Sequence, residues 1–175
     1  SKIISQIDYI VIAKRPQDQF KEIKKIFLKK NKVKHLFLEK PIEVNPKKSI
    51  NLINFLIRKN VKYSVGFLFK YLSWYKILKI NKKKKQTFEI IWNIKKNFTN
   101  TNKWKMRHIK GGGILRFYGI HFIKLLFDLS FLKIEKNLKS NKILNIKGKD
   151  NNKCQLIICI KYSKLNNFIF KVNNK

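Results

Sequence analysis

Apolar residues fall along positions 1–80 in two alternating rhythms. Ile10-Val11-Ile12-Ala13 is a short unbroken run, read as a strand, and Pro16 follows it. Phe20, Ile23, Ile26 and Phe27 then recur at the spacing of one helical face. His35–Leu38 is a second run. Asn45-Pro46 opens the next helix, with a capping residue followed by proline at the first helical position. Ile50, Ile53, Leu56 and Ile57 continue that helix. Val61–Gly66 is a third run, and Leu68, Tyr71, Leu72, Tyr75 and Leu78 mark a third helix. Strand and helix alternating in this way predict a parallel, doubly wound sheet.

Beyond Lys82–Lys85 the rhythm changes. Phe88, Ile90, Trp92 and Ile94 alternate with Thr87, Glu89, Ile91 and Asn93, the mark of an antiparallel strand with one buried face. A polar loop from Lys95 leads through Trp104-Lys105-Met106-Arg107 to Gly111–Gly113. Ile114–Leu129 reads as a helix, with Leu115, Tyr118, Phe122, Leu125, Leu126 and Leu129 as its core stripe. Runs at Phe131–Ile134, Ile143–Ile146, Leu156–Ile160 and Phe168–Val172 complete a sheet, with Asn- and Lys-rich loops at 147–153 and 163–167. The expected architecture is therefore α/β plus α+β. Residues 1–80 form part of a doubly wound parallel sheet, and residues 81–175 form an α+β domain with a mostly antiparallel sheet. The charge run Lys82–Lys85 is a solvated turn at the boundary.

Composition adds one loud number, a formal net charge of +33. That invites a polyanion partner. Yet among 42 basic residues only Arg15, Arg58, Arg107 and Arg116 are arginine, the residue suited to bidentate phosphate and base recognition. The lysines are spread along the chain, as drift toward AT-rich codons would spread them. Weak, salt-sensitive binding to polyanions is expected, but no specific nucleic acid. No apolar stretch is long enough to span a bilayer, so no membrane partner is expected. Cys154 and Cys159 lack a metal-ligand pattern around them and read as small core residues of a reducing compartment, the cytoplasm. No metal is expected.

The chemistry concentrates at two places. At the end of the second run stand Glu39, Lys40 and Pro41, where a buried parallel strand would place polar groups at its carboxyl end. A surface Glu-Lys pair is the plain alternative for such a tripeptide. On the Ile114–Leu129 helix, Phe117 and His121 are four apart on one face, with Lys124 three further on. A histidine there suits acid–base work near neutral pH.

These blocks occur in an order that resembles the Gfo/Idh/MocA family of NAD(P)-dependent oxidoreductases. They are Glu39-Lys40-Pro41; Val65-Gly66-Phe67 leading to Lys70-Tyr71; and Trp104 followed by Gly111-Gly112-Gly113-Ile114-Leu115, Gly119 and His121. The resemblance runs from about Ile7 to Leu129. It implies a Rossmann-like nucleotide-binding domain followed by a substrate domain, NAD or NADP as cofactor, and a sugar or sugar-nucleotide as substrate. It further implies Lys40 and His121 as catalytic residues, with Arg15, Pro16, Glu39, Lys40 and Pro41 at the cofactor. Trp104, Lys105, Arg107, Arg116 and Phe117 would stand at the substrate. The open sheet of the second domain implies a homo-oligomer.

Two departures qualify the likeness. Members usually open with a strand and a glycine-rich turn that holds the pyrophosphate, and Ser1–Asp8 contains no glycine. The chain thus reads as the second half of a dinucleotide domain: part of a longer polypeptide, a remnant, or the partner of something that supplies the missing strands. Ile10–Ala13 would then be left as an apolar edge. Members also commonly carry an acidic residue four before the histidine and often another three after it; here Phe117 and Lys124 hold those places. The frequent histidine after the first strand is replaced by Gln19 or Phe20. Three readings follow: an oxidoreductase, a non-catalytic scaffold of the same fold, and a basic polyanion-binding protein.

Overall fold

The computed structural model describes residues 6–28, 31–82, 85–95, 104–139 and 142–174. Two compact units emerge. The first comprises Ser1–Gly66 together with Arg107–Gly112, and the second Phe67–Met106 together with Gly113–Lys175.

The first unit contains β1 (Tyr9–Ile12), α1 (Pro16–Ile26), β2 (His35–Leu38), α2 (Pro46–Arg58) and β3 (Lys62–Val65). The strands form a parallel sheet in the order β1-β2-β3. Proline starts each helix, where its missing N–H is no loss. Asn45 caps α2 as its sequence foretells, Oδ1 accepting from the Lys48 N–H at 2.9 Å. Ile23 of α1 and Leu52 and Leu56 of α2 are fully buried with Ile12, Leu36 and Leu38 on one face of the sheet. Each such side chain contributes roughly 1.5–3 kcal/mol. The alternate residues Tyr9, Val11 and Phe37 point to the other face and remain exposed, Val11 at 72%. β1 is an edge strand, as expected.

The second unit holds α3 (Ser73–Asn81), β4 (Gln86–Lys95), α4 (Ile120–Asp128), β5 (Lys133–Lys139), β6 (Ile143–Lys149), β7 (Gln155–Ser163) and β8 (Asn167–Asn174). Its sheet runs β5-β6-β7-β4-β8. Phe88, Ile90, Leu144, Ile146, Leu156, Ile158 and Ile160 line its inner face, against Phe122, Leu125 and Leu126 of α4.

Several expectations need correction. β4 is antiparallel to β8 but parallel to β7, because the chain reaches β7 only after α4 and a hairpin have intervened. The third helix does not run unbroken from Leu68. A 3-10 turn, Phe69–Tyr71, is followed by an extended Leu72 and then by α3. That break rotates the pattern: Phe69, Trp74 and Leu78 enter the core, while Leu68 and Tyr71 are exposed. Leu78 is fully buried among second-unit residues, and the stretch from Phe67 through α3 belongs to the second unit. The predicted Ile114–Leu129 helix opens with a π-helical turn, Ile114–Gly119, and the loop expected from 147 begins after Lys149. The polar loop at 96–103 lies outside the described residues.

Nor is Lys82 part of a solvated turn; Lys83 and Lys84 lie outside the described residues. The Lys82 ammonium donates to the Leu129 carbonyl, lies 3.4 Å from Asp150 Oδ2, and rests over the Phe131 ring. Asp150 Oδ1 accepts the Cys154 N–H at 2.9 Å, fixing the turn between β6 and β7. Burial and the neighbouring Asp150 push the Cys154 thiol up to about 11, so it stays protonated. The Asp150 and Lys82 side chains are only 4% and 19% exposed, so losing one partner strands the other's charge. Asp150→Ala is expected to lower stability by about 3 kcal/mol, read as an earlier midpoint in urea unfolding at unchanged slope.

Candidate functional site

In the first unit the candidate residues gather on the loop that follows β2. Strand pairing ends as Gly66 N–H donates to Leu38 O, and Glu39 N–H donates to Ile12 O at 3.3 Å. Pro41 has no N–H to continue the ladder, and the Lys40–Pro41 peptide is cis. What holds the loop is Gln19, a fully buried residue of α1. Its Nε2 donates to Glu39 O at 2.9 Å and to Pro41 O at 3.1 Å, with Ile42 O at 3.4 Å. Swapping the amide would set oxygen against three carbonyl oxygens, so this orientation is fixed by chemistry. Glu39 is exposed, Lys40 half-buried and Pro41 buried. Arg15 is exposed at the start of α1, and Pro16 is buried beside it.

The Arg107–Gly112 segment joins this unit through its glycines. Gly111 has φ +83°, and a Cβ there would lie 3.0 Å from the Pro16 ring and 3.4 Å from Val44 Cα. Both the backbone conformation and the close approach require glycine. Arg107, expected beside Trp104 and Lys105, therefore belongs to the first unit while those two belong to the second.

The present residues fit only one end of a dinucleotide. Arg15, Glu39 and Lys40 follow the carboxyl ends of β1 and β2, the side on which open α/β sheets bind ligands. A pyrophosphate needs amides at a glycine turn before a helix. No glycine precedes Gly66 in this sequence.

In the second unit Gly119 ends the π turn. A Cβ on it would come within 2.4 Å of Leu144, so glycine lets the turn lie against β6. The turn brings Phe117 edge-on to Trp104, with centroids 5.5 Å apart, and sets the Lys105 ammonium 5.2 Å above the Phe117 ring. Tyr118 packs edge-on behind Phe117 at 4.9 Å and against Trp92 at 5.2 Å. Burial raises the Tyr118 phenol, and burial with Tyr118 alongside pushes Tyr162 up to about 12; both stay neutral. Arg116 is half-buried on the same turn.

His121, one residue into α4, is 8% exposed. Phe69 stacks on its ring at 4.7 Å and Phe67 meets it edge-on at 5.8 Å. These three line a hollow with Lys70, Tyr75, Lys124 and Asp128. Lys124 pairs with Asp128, one turn further along α4.

Sequence reading passed over Gln19 as a clamp, and Phe67, Phe69 and Asp128 as neighbours of His121. For Gln19 a signal existed: it stands four before Ile23, a polar residue on the core stripe of α1. Phe69 and Asp128 gave none, because a broken helix and a turn-length offset disguise them.

Comparison with known proteins bears on the fold that carries these residues. Residues 1–67 match the model of an oxidoreductase family with an NAD-binding Rossmann fold. No curated protein matched the chain. Among solved structures it is similar to the dehydrogenase MviM from Clostridium difficile, at 17% identity and TM-score 0.72, over 98% of this chain and 56% of that one. It is similar to the WlbA dehydrogenase from Thermus thermophilus in complex with NAD and UDP-GlcNAcA, at 18% identity and TM-score 0.68, over 89% and 51%. A super-repressor mutant of Gal80p from Saccharomyces cerevisiae is also similar, at 13% identity and TM-score 0.77, over 96% and 54%. The chain thus spans about half the length of these structures, and at such identities they show the two-domain fold.

If Gln19 sets the loop, Gln19→Leu leaves three carbonyls without their donor. Stability should fall by about 2 kcal/mol, and the amides of Glu39 and Lys40 should exchange faster with deuterium. Unchanged exchange at those amides would show that the loop is held otherwise.

Proposed function

We propose that this chain, whose residues 1–67 match the model of an oxidoreductase family with an NAD-binding Rossmann fold, is part of a Gfo/Idh/MocA-type enzyme that oxidises a sugar or sugar-nucleotide hydroxyl with NAD or NADP. On this reading the first unit meets the nicotinamide end of the cofactor through Arg15, Pro16, Glu39, Lys40 and Pro41. The second unit meets the substrate. The observation that carries the proposal is the Gln19 clamp, which holds a half-buried lysine at the carboxyl end of a parallel strand.

The nicotinamide, when bound, supplies the hydride acceptor. This chain's own residues manage charge and the proton. The Lys40 ammonium donates to the substrate oxygen and stabilises the negative charge that grows there. The His121 imidazole takes the hydroxyl proton, its ring held by the stacked Phe69. Trp104, Lys105, Arg107, Arg116 and Phe117 are the remaining substrate residues of this reading. Self-association through the open face of the second sheet fits its apolar cross-strand row, Cys159, Ile91 and Ile169. The free thiols Cys154 and Cys159 favour the cytoplasm.

A second reading, a non-catalytic binding scaffold, draws on the near-complete burial of His121 between two phenylalanines and on the fold shared with Gal80p. Mutation separates the two. Lys40→Met is expected to cut nicotinamide-linked turnover by about a hundredfold or more at unchanged thermal stability. His121→Asn should lower kcat with little effect on KM. Undiminished turnover in Lys40→Met defeats the role of that lysine, and a change confined to KM removes His121 as the base.

A further inference from the structure

At one end of the second sheet lies a hollow of about 190 Å³, lined by Lys85, Gln86, Thr87, Lys149, Lys153 and Gln155. Three separate segments supply its lysines: the stretch before β4, the end of β6, and the turn between β6 and β7. Thr87, Gln155 and Lys149 are partners in one row across β4, β7 and β6, so their side chains leave the same face of the sheet. Every lining side chain carries an N–H or O–H donor, and none is a carboxylate. Among the described residues the ion-paired carboxylates engage other lysines, and none pairs with Lys85, Lys149 or Lys153. Lys153 also has an uncommon backbone, with φ +62° in the left-handed region that lysine rarely adopts. The turn fixes that conformation: Lys153 N–H donates to Asp150 O at 3.3 Å, and Asp150 N–H to Cys154 O at 3.1 Å. Outliers of this kind gather at ligand clamps.

From three lysines lining one hollow that holds no carboxylate, we propose that this end of the second sheet binds a small molecule through a phosphate monoester group. Such a group presents three acceptor oxygens and close to two negative charges, one oxygen for each lysine, with Thr87 and Gln155 as further donors. The hollow is smaller than the roughly 300–1,000 Å³ of sites that enclose drug-sized ligands, so it takes the phosphate and only a few atoms more. Thr87 stands five residues before Trp92 on the unbroken β4, roughly 17 Å at about 3.4 Å per residue. The hollow is therefore remote from the aromatic residues around Trp92, and the inference does not depend on the oxidoreductase reading.

Calorimetric titration of the intact chain at moderate salt tests this, with glycerol 3-phosphate, acetate and a short oligothymidylate as probes. Glycerol 3-phosphate should bind at one site per chain, about tenfold or more tightly than acetate. Lys149→Gln and Lys153→Asn should each weaken it by about fivefold. Lys153→Asn should also keep the melting temperature, because asparagine adopts the left-handed region more readily than lysine, so its loss of binding cannot be laid to misfolding. Lys47→Gln, an exposed lysine of the first unit, removes the same charge and should leave the affinity within about twofold. Equal binding of acetate and glycerol 3-phosphate overturns the inference. So does an equal loss in Lys47→Gln, which would reduce the effect to diffuse attraction by the chain's net charge. A loss on Lys149→Gln seen with oligothymidylate but not with glycerol 3-phosphate would assign these lysines to nucleic acid and overturn it as well.

Discussion

A single buried amide governs the first unit. Gln19 spends its N–H donors on the carbonyls around the Lys40–Pro41 peptide, so the loop after β2 cannot relax without stranding backbone acceptors inside the protein. The cost of losing such contacts is comparable to burying a whole aliphatic side chain, which is why one residue can fix a segment this short. The clamp explains how the exposed Glu39, the half-buried Lys40 and the buried Pro41 keep distinct environments within three positions.

The second unit solves a different problem. Its helix must deliver His121 to a hollow and Phe117 to Trp104 from one continuous stretch. A regular helix would keep Phe117 and His121 one turn apart on a common stripe. The π turn widens the first part of that stretch, and Gly119 lets it press onto Leu144. Turns of this kind occur often at functional sites because they redirect side chains without ending the helix. Here the result is an aromatic layer, Trp104, Phe117, Tyr118 and Trp92, which Trp92 joins to Phe69 and so to His121.

Much of this was legible in the sequence, and the illegible parts share a cause. The strands β1, β2 and β3, the capped start of α2 and the later strands announce themselves through local periodicity and turn residues. So does the Glu39-Lys40-Pro41 block, since proline after a short apolar run stops a strand. What local pattern does not encode is pairing at a distance. That β4 lies parallel to β7, that Lys82 is drawn into the protein by Asp150, and that Leu78 belongs with the second core all depend on residues far along the chain. The break at Leu72 shows the same limit on a smaller scale. Its neighbours Leu68 and Tyr71 have the right hydropathy for a helix face, but one extended residue turns the stripe away from them.

The return of Arg107–Gly112 to the first unit imposes an order of events on the growing chain. When β3 leaves the ribosome, the place beside Pro16 that Gly111 will occupy is still open, and the whole stretch Phe67–Met106 must be made first. At about 5–20 residues per second that interval lasts a few seconds, during which Pro16 and Val44 lack the segment that packs on them. A nascent polypeptide in that condition is a natural client for holding chaperones. Over evolutionary time the same stitch ties the two halves genetically: a recombination event that exchanges the first module alone leaves behind the six residues that finish it.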